Sequence, residues 1–220
     1  MKLVLYSGGT DEENIVLDKK LIELSGKKNP QITFVPSSSY FIESEFMEFA
    51  SQFQKYRVNN LINFPVDVEY SEILKNEVLK SDIIYLGGGN TFYFLKHLRK
   101  SGFLRELKDF VKNGGILAGL SAGAIMMTNN ITTASFPEFD RDDNDENIKN
   151  LKALNLVSFD FFPHYKNSLR YDNELIEHAN KTQKKVYSCP DGSGIIIDEH
   201  KIEFIGKTFV FYKGEKFSLR

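Results

Sequence analysis

The stretch Gly114-Gly115-Ile116-Leu117-Ala118-Gly119-Leu120-Ser121-Ala122-Gly123-Ala124-Ile125-Met126-Met127 decides the architecture. Its strand half, Gly115–Gly119, is apolar on consecutive residues rather than alternate ones. That pattern marks a strand covered on both faces, as in a parallel sheet. The run then turns abruptly through Leu120-Ser121-Ala122-Gly123 into a helix beginning at Ala124. It is interrupted by four glycines and a serine, and it falls short of the roughly 20 apolar residues that span a bilayer.

Outward from this segment the same alternation repeats. Ser81–Leu86 is a second fully apolar strand and ends in Gly87-Gly88-Gly89-Asn90-Thr91. Phe92 to Val111 follows with helical spacing and a break near Gly102. Toward the N-terminus, Leu3–Tyr6 ends in Ser7-Gly8-Gly9, and Asp11 to Leu24 repeats its apolar residues at helical intervals. Strand Gln31–Pro36, helix Glu43 to Tyr56, strand Asn60–Phe64 and helix Ser71 to Leu79, with Ser71 as N-cap, complete the pattern. Such alternation implies a mostly parallel sheet with helices on both faces. In open sheets of this kind, sites lie beyond the carboxyl ends of the strands, where the loops after Tyr6, Leu86 and Gly119 converge. The C-terminal third differs. A short run at Phe159–Phe162 precedes a helix from Ser168 to Ala179. Lys185–Ser188, Gly194–Asp198, Lys201–Ile205 and Thr208–Tyr212 then read as an antiparallel meander. With no repeat and no linker, residues 1–220 are expected to form one domain.

Composition narrows the function classes. The 220 residues are 41% hydrophobic, which excludes disorder and lets a chain of this size bury roughly 70% of its surface without disulfides. With 28 basic and 30 acidic side chains, the net charge of −2 gives no general attraction to nucleic acid or an anionic membrane. The single cysteine, Cys189, cannot form an internal disulfide. It reads as a small packed residue or, less in keeping with its position, a nucleophile. The N-terminal apolar run is too short for a signal-peptide core, so a cytoplasmic protein is expected. The charged stretch from Phe139 to Asn150 reads as a solvated loop. Asp145 and Leu151 occupy positions where a calcium loop needs glycine and glutamate.

Gly119-Leu120-Ser121-Ala122-Gly123 fits G-x-S-x-G in its required strand–turn–helix setting. Such an elbow holds the serine in a strained conformation with Oγ exposed above the sheet. The Ala122 amide, at a helix start, faces a developing oxyanion. The competing reading is a turn that merely packs closely. Of four histidines, His97, His178 and His200 fit surface, capping and turn roles. His164 follows a strand-like run and Pro163, and a strand end can carry a base to the top of the sheet. Gly87–Gly89 bring bare backbone to the same edge, as an oxyanion donor or simply as a tight turn.

Taken in order, Tyr6–Thr10, Tyr85–Phe92, Gly114–Ala124, Phe162–Tyr165 with Arg170 and Tyr171, and Pro190–Ile197 resemble the dipeptidase E and cyanophycinase family of serine peptidases. The resemblance implies a flavodoxin-like α/β fold of the class I glutamine-amidotransferase type. It also implies hydrolysis of short peptides, chiefly dipeptides with N-terminal aspartate, without metal or cofactor. By that match Ser121 is the nucleophile, His164 the base, and Gly88 with the Ala122 amide the oxyanion hole. Asp191 is the first choice for the acid and Glu138 the second. Arg170 would hold the aspartyl carboxylate or else lie on a helix surface, and Gly89, Asn90 and Tyr165 would line the site. The alternatives are a β-aspartyl peptidase and a non-catalytic binding module on the same fold. A small peptide partner is expected, with no nucleic acid or membrane, and the chain as monomer or homodimer.

Overall fold

The computed structural model describes residues 1–219. Its elements in order are β1 (Lys2–Tyr6), α1 (Asp11–Ser25), β2 (Ile32–Val35), α2 (Ile42–Gln54), β3 (Leu61–Asn63), α3 (Glu72–Val78) and β4 (Ile83–Leu86). Next come α4 (Thr91–Lys100), α5 (Phe103–Lys112), β5 (Ile116–Leu120) and the short α6 (Ala122–Ile125). A 3-10 turn (Thr132–Ser135), β6 (Asp160–Phe162), α7 (Leu169–Thr182), β7 (Val186–Ser188), β8 (Gly194–Asp198), β9 (Lys201–Ile205), β10 (Thr208–Tyr212) and β11 (Glu215–Leu219) complete the chain.

Seven strands form the main sheet in the order β3-β2-β4-β5-β1-β8-β9. The first five are parallel; β8 pairs antiparallel with β1, and β9 antiparallel with β8. Side chains alternate across the sheet, which explains why its strands are apolar throughout. Leu3 and Leu5 of β1 join Ile84, Leu86 and Leu117 under α4 and α5. Val4 and Tyr6 face the other way and meet Ile83, Tyr85 and Ala118 with Leu17 and Leu21 of α1 and Phe49 and Phe53 of α2. One carboxylate is buried in that second layer. Asp18 accepts from the Tyr6 hydroxyl at 3.1 Å and from Gln52 at 2.8 Å, and burial still pushes its carboxyl up to about 6.

Local chemistry sets the element ends. Thr10 and Glu13 form a reciprocal capping box at the start of α1. Ser71 accepts from the Leu74 amide, as its N-cap position requires. Gly102, at φ 76°, separates α4 from α5 in the left-handed region that glycine enters without cost.

The expected C-terminal meander is divided between two sheets. β8 and β9 extend the main sheet, whereas β6, β7, β10 and β11 form a second sheet of order β11-β10-β7-β6. Phe162, Tyr165, Leu175, Val186, Phe209 and Phe211 pack that second sheet against α7. No helix among the described residues is long and apolar enough to cross a membrane.

Candidate active site

The elbow is built from backbone. β5 runs straight into α6 through Ser121, at φ 51° and ψ −108°. The Ser121 amide donates to the Tyr6 carbonyl at 3.0 Å, and the Ser121 carbonyl accepts from Ala124 and Ile125. The flanking glycines are sterically required. A Cβ on Gly119 would lie 2.4 Å from the Gly123 carbonyl carbon, and one on Gly123 would lie 2.3 Å from the Leu86 carbonyl oxygen. Both collisions are with backbone, so no side-chain movement relieves them. This strand–helix crossing holds a sparsely populated serine conformation in place.

His164 enters from the loop after β6, also at positive φ, 55°. Its Nε2 lies 2.8 Å from Ser121 Oγ, and its Nδ1 lies 2.7 Å from Asp191 Oδ1. With the proton on Nδ1, the ring donates to Asp191 and accepts from the serine hydroxyl, the arrangement that prepares serine for attack. Asp191 sits on the loop between β7 and β8, which the Gly192 amide ties to the Gly8 carbonyl at 3.0 Å. The His164 and Asp191 side chains are each 44% accessible, so the pair faces the mouth of the cleft.

Two residues that sequence reasoning did not single out hold this pair. Buried Ser7 accepts from the His164 amide at 2.8 Å and donates to the Cys189 carbonyl at 2.6 Å. It thereby ties the His164 loop to the end of β1. A Cβ on Gly8 would fall 2.2 Å from His164 Cε1 and 2.3 Å from Asp191 Oδ1. Gly8→Ala is therefore expected to cut kcat/KM by about 100-fold or more, the scale of a misplacement near 1 Å. Melting should change little, because no backbone atom is among its three nearest neighbours. Steady-state rates paired with thermal melts would check this; full activity would mean that the pair tolerates the displacement.

A Cβ on Gly88 would stand 3.7 Å from Ser121 Cβ, so this bare backbone adjoins Ser121. Among the described residues, the Gly88 and Ala122 amides have no hydrogen-bond acceptor. Gly89, at φ 119°, turns the chain where a Cβ would strike Ser37 Oγ.

Four other residues named from the sequence take the following places. Glu138 is exposed and has no hydrogen bond to His164, whose Nδ1 is engaged by Asp191. Tyr165 does not line the cleft; it is fully buried in the second sheet's core, where its hydroxyl donates to Asp172. Arg170 is exposed, with its guanidinium 3.5 Å from the centroid of the Phe139 ring. Asn90 caps α4 by accepting from the Tyr93 amide, and its Nδ2 donates to the Asp143 carbonyl. His178 also departs from its expected capping role. It is buried, with Nε2 2.9 Å from Asp160 Oδ2 and its ring against Phe136. Cys189 is buried among apolar neighbours, and burial pushes its thiol up to about 12, as befits a packed residue rather than a nucleophile.

A cavity of about 290 Å³ opens over Ser121 and His164. Ile125, Ala134, Phe136 and Phe162 give it an apolar wall. Lys166, two residues from His164, is its lysine, and Asp140 and Asp142 bring part of the charged 139–150 stretch to its rim. That stretch is therefore more than a solvated loop.

Comparison with known proteins agrees with this architecture. The model of peptidase family S51 matches residues 3–205. An uncharacterized peptidase of Listeria monocytogenes, Lmo0363, is 30% identical over 177 residues, covering 79% of this chain and 84% of that protein. Peptidase E of Nostoc sp. is 25% identical over 230 residues, with 96% and 89% covered. A crystal structure from Listeria monocytogenes EGD-e, described as a candidate peptidase E, superposes with TM-score 0.68 at 25% identity, covering 92% of this chain and 96% of that one. A peptidase from an acI-B1 Actinobacterium, at 16% identity and TM-score 0.66, shares the fold over 99% of this chain and 96% of its own. The chain belongs to peptidase family S51 and is a peptidase.

Proposed function

We propose that the chain is a serine peptidase that cleaves short peptides, chiefly dipeptides with N-terminal aspartate, through an acyl-enzyme. The observation that carries this is the continuous contact Ser121–His164–Asp191, at 2.8 and 2.7 Å. Ser121 Oγ attacks the scissile carbonyl carbon while His164 Nε2 takes its proton. Asp191 holds the ring in the tautomer that can accept that proton and faces the imidazolium that forms. The Gly88 and Ala122 amides receive the oxyanion; one such donor is typically worth about 3 kcal/mol in the transition state. His164 then returns the proton to the leaving amine, and water, activated by the same base, releases the acyl group.

The small cavity favours a short substrate over a folded one. Its acidic specificity is assigned to Lys166, since Arg170 is engaged over Phe139. A fluorophosphonate probe is expected to label Ser121, and a peptide panel to show α-linked Asp-X dipeptides cleaved ahead of β-linked and neutral ones. Labelling without aspartyl preference would remove the substrate assignment. Failure to label would leave a binding module on a peptidase fold.

A further inference from the structure

A second cavity, of about 330 Å³, opens beside the elbow. It shares no lining residue with the cavity over Ser121 and His164, yet the two meet at one step of the chain: Leu120 lines the second and Ser121 the first. Gly88 stands at the join. A Cβ there would lie 3.7 Å from Leu120 Cδ2 and 3.7 Å from Ser121 Cβ. A peptide carbonyl under attack by Ser121 carries two substituents, the acyl residue and the leaving amine. The first cavity, with Lys166, is assigned to the acyl residue. The leaving residue then has the second cavity open to it across the bare backbone of Gly88.

The lining states what chemistry fits. Phe34, Phe49 and Tyr85 make an aromatic wall, with the Phe49 ring centroid 4.6 Å from that of Phe34 and 5.1 Å from that of Tyr85. The charged lining residues are Asp11, Glu45 and Glu48, all acidic, whereas the first cavity has its lysine. Asp11 is paired with Lys55. Glu45 and Glu48, three residues apart on α2, form no ion pair among the described residues. Burial, with Glu48 beside it, pushes the Glu45 carboxyl up, the sign of a charge that lacks a cation.

A separate observation behind the wall points the same way. Asp18 of α1 is 0% exposed, and an aspartate so buried is almost always paired with a positive charge. Here its hydrogen bonds come only from neutral donors, the Tyr6 and Tyr56 hydroxyls and Gln52 Nε2. It too has no ion pair among the described residues. Gln52, which donates to Asp18 at 2.8 Å, also lines the cavity. A cation held there would therefore sit one side chain away from a buried charge that nothing else compensates.

Aromatic rings and carboxylates together suit a cation carried on an apolar stem. Among amino-acid side chains, lysine and arginine have that form. We propose that the second cavity takes the residue on the leaving side of the scissile bond and selects a basic side chain there. Its stem packs against the aromatic wall, and its charged head meets Glu45 and Glu48. The two cavities thus read opposite charges on the two sides of one bond, Lys166 on the acyl side and carboxylates on the leaving side. This rests on the peptidase reading of Ser121, since that reading sets which bond is cut.

Binding to the Ser121→Ala protein tests it independently of turnover. Calorimetric titration compares Asp-Lys with Asp-norleucine, whose side chain has the same four carbons and no ammonium. Asp-Lys is expected to bind about 10-fold more tightly, the scale of a cation held by rings and carboxylates at a half-open site. Adding Glu45→Gln and Glu48→Gln, which keep the size of both side chains, should bring that ratio below about 3-fold and leave Asp-norleucine unchanged. Equal affinities for the two peptides would overturn the proposal. So would a ratio that survives the double substitution, or no binding of either peptide. Hydrolysis by the unmutated protein separates this from the peptidase reading. Cleavage of Asp-norleucine without any lysine preference in binding removes the basic pocket and leaves the peptidase. A lysine preference in binding without cleavage of either peptide removes the role of Ser121 and leaves the pocket.

Discussion

Ser121→Ala is expected to lower kcat/KM on aspartyl dipeptides by roughly 10⁴-fold or more while leaving the fold intact. Nothing near Ser121 can replace its oxygen. The lone thiol, Cys189, is buried and its ionisation is pushed up to about 12. What survives is the work of the oxyanion donors and of binding, which retains roughly 10³-fold over water in such sites. The stability side follows from the contacts. The hydroxyl's hydrogen bond is to a half-accessible histidine, and alanine meets the same backbone demand at φ 51° that serine meets. A change within about 0.5 kcal/mol is expected, as for other substitutions that leave the core untouched. Steady-state assays with circular dichroism melts decide the matter. Aspartyl hydrolysis persisting in the variant would sink the nucleophile.

Asp191→Asn should be the second largest loss. An asparagine amide can present its NH2 to Nδ1 and hold the ring in the wrong tautomer, with Nε2 protonated toward the serine. In buried triads that costs about 10⁴-fold in kcat. Here the acid and the ring are each 44% accessible, so solvent screens the charge and a loss of roughly 10² to 10⁴-fold is expected. The loss should fall on kcat rather than KM, because Asp191 acts through His164. Glu138→Gln, measured beside it, should stay within about 2-fold of the parent, as for an exposed residue with no bond to the base. The reverse ranking would transfer the role to Glu138.

The parallel core was legible because doubly covered strands carry apolar residues at consecutive positions, as Ile116–Ala118 and Ile83–Leu86 do. The elbow was legible because its steric demands are local: Gly119 and Gly123 are needed by contacts within one turn and with the adjacent strand β4. Strand alternation in the last third could not show which sheet each strand joins, since period two is the same in both. β11 went unread because Glu215–Leu219 is a largely exposed edge strand with little apolar signal. Tyr165 was misplaced because adjacency to His164 along the chain does not set direction. At φ 55° for His164, the next side chain turns into the core. Of the two readings of Arg170, the helix-surface one describes its exposed place over Phe139, which the sequence alone could not choose. Ser7 and Gly8 lie in the Tyr6–Thr10 segment, but nothing in that segment shows which side chains they will meet. Their importance exists only once β8, nearly the whole chain away, has paired with β1.

That pairing has a consequence for biosynthesis. The elbow at Ser121 is complete by Ile125, yet the proposed base arrives at His164 and the proposed acid at Asp191. The strand that brings the acid home is Gly194–Asp198, docked against β1, with the Ser7 amide reaching the Ser193 carbonyl. Under the proposed mechanism, a growing chain on the ribosome holds Ser121 before the residues that would activate it have been made. Hydrolytic competence then waits on the docking of β8 against β1, so chain order keeps the serine apart from its partners during synthesis.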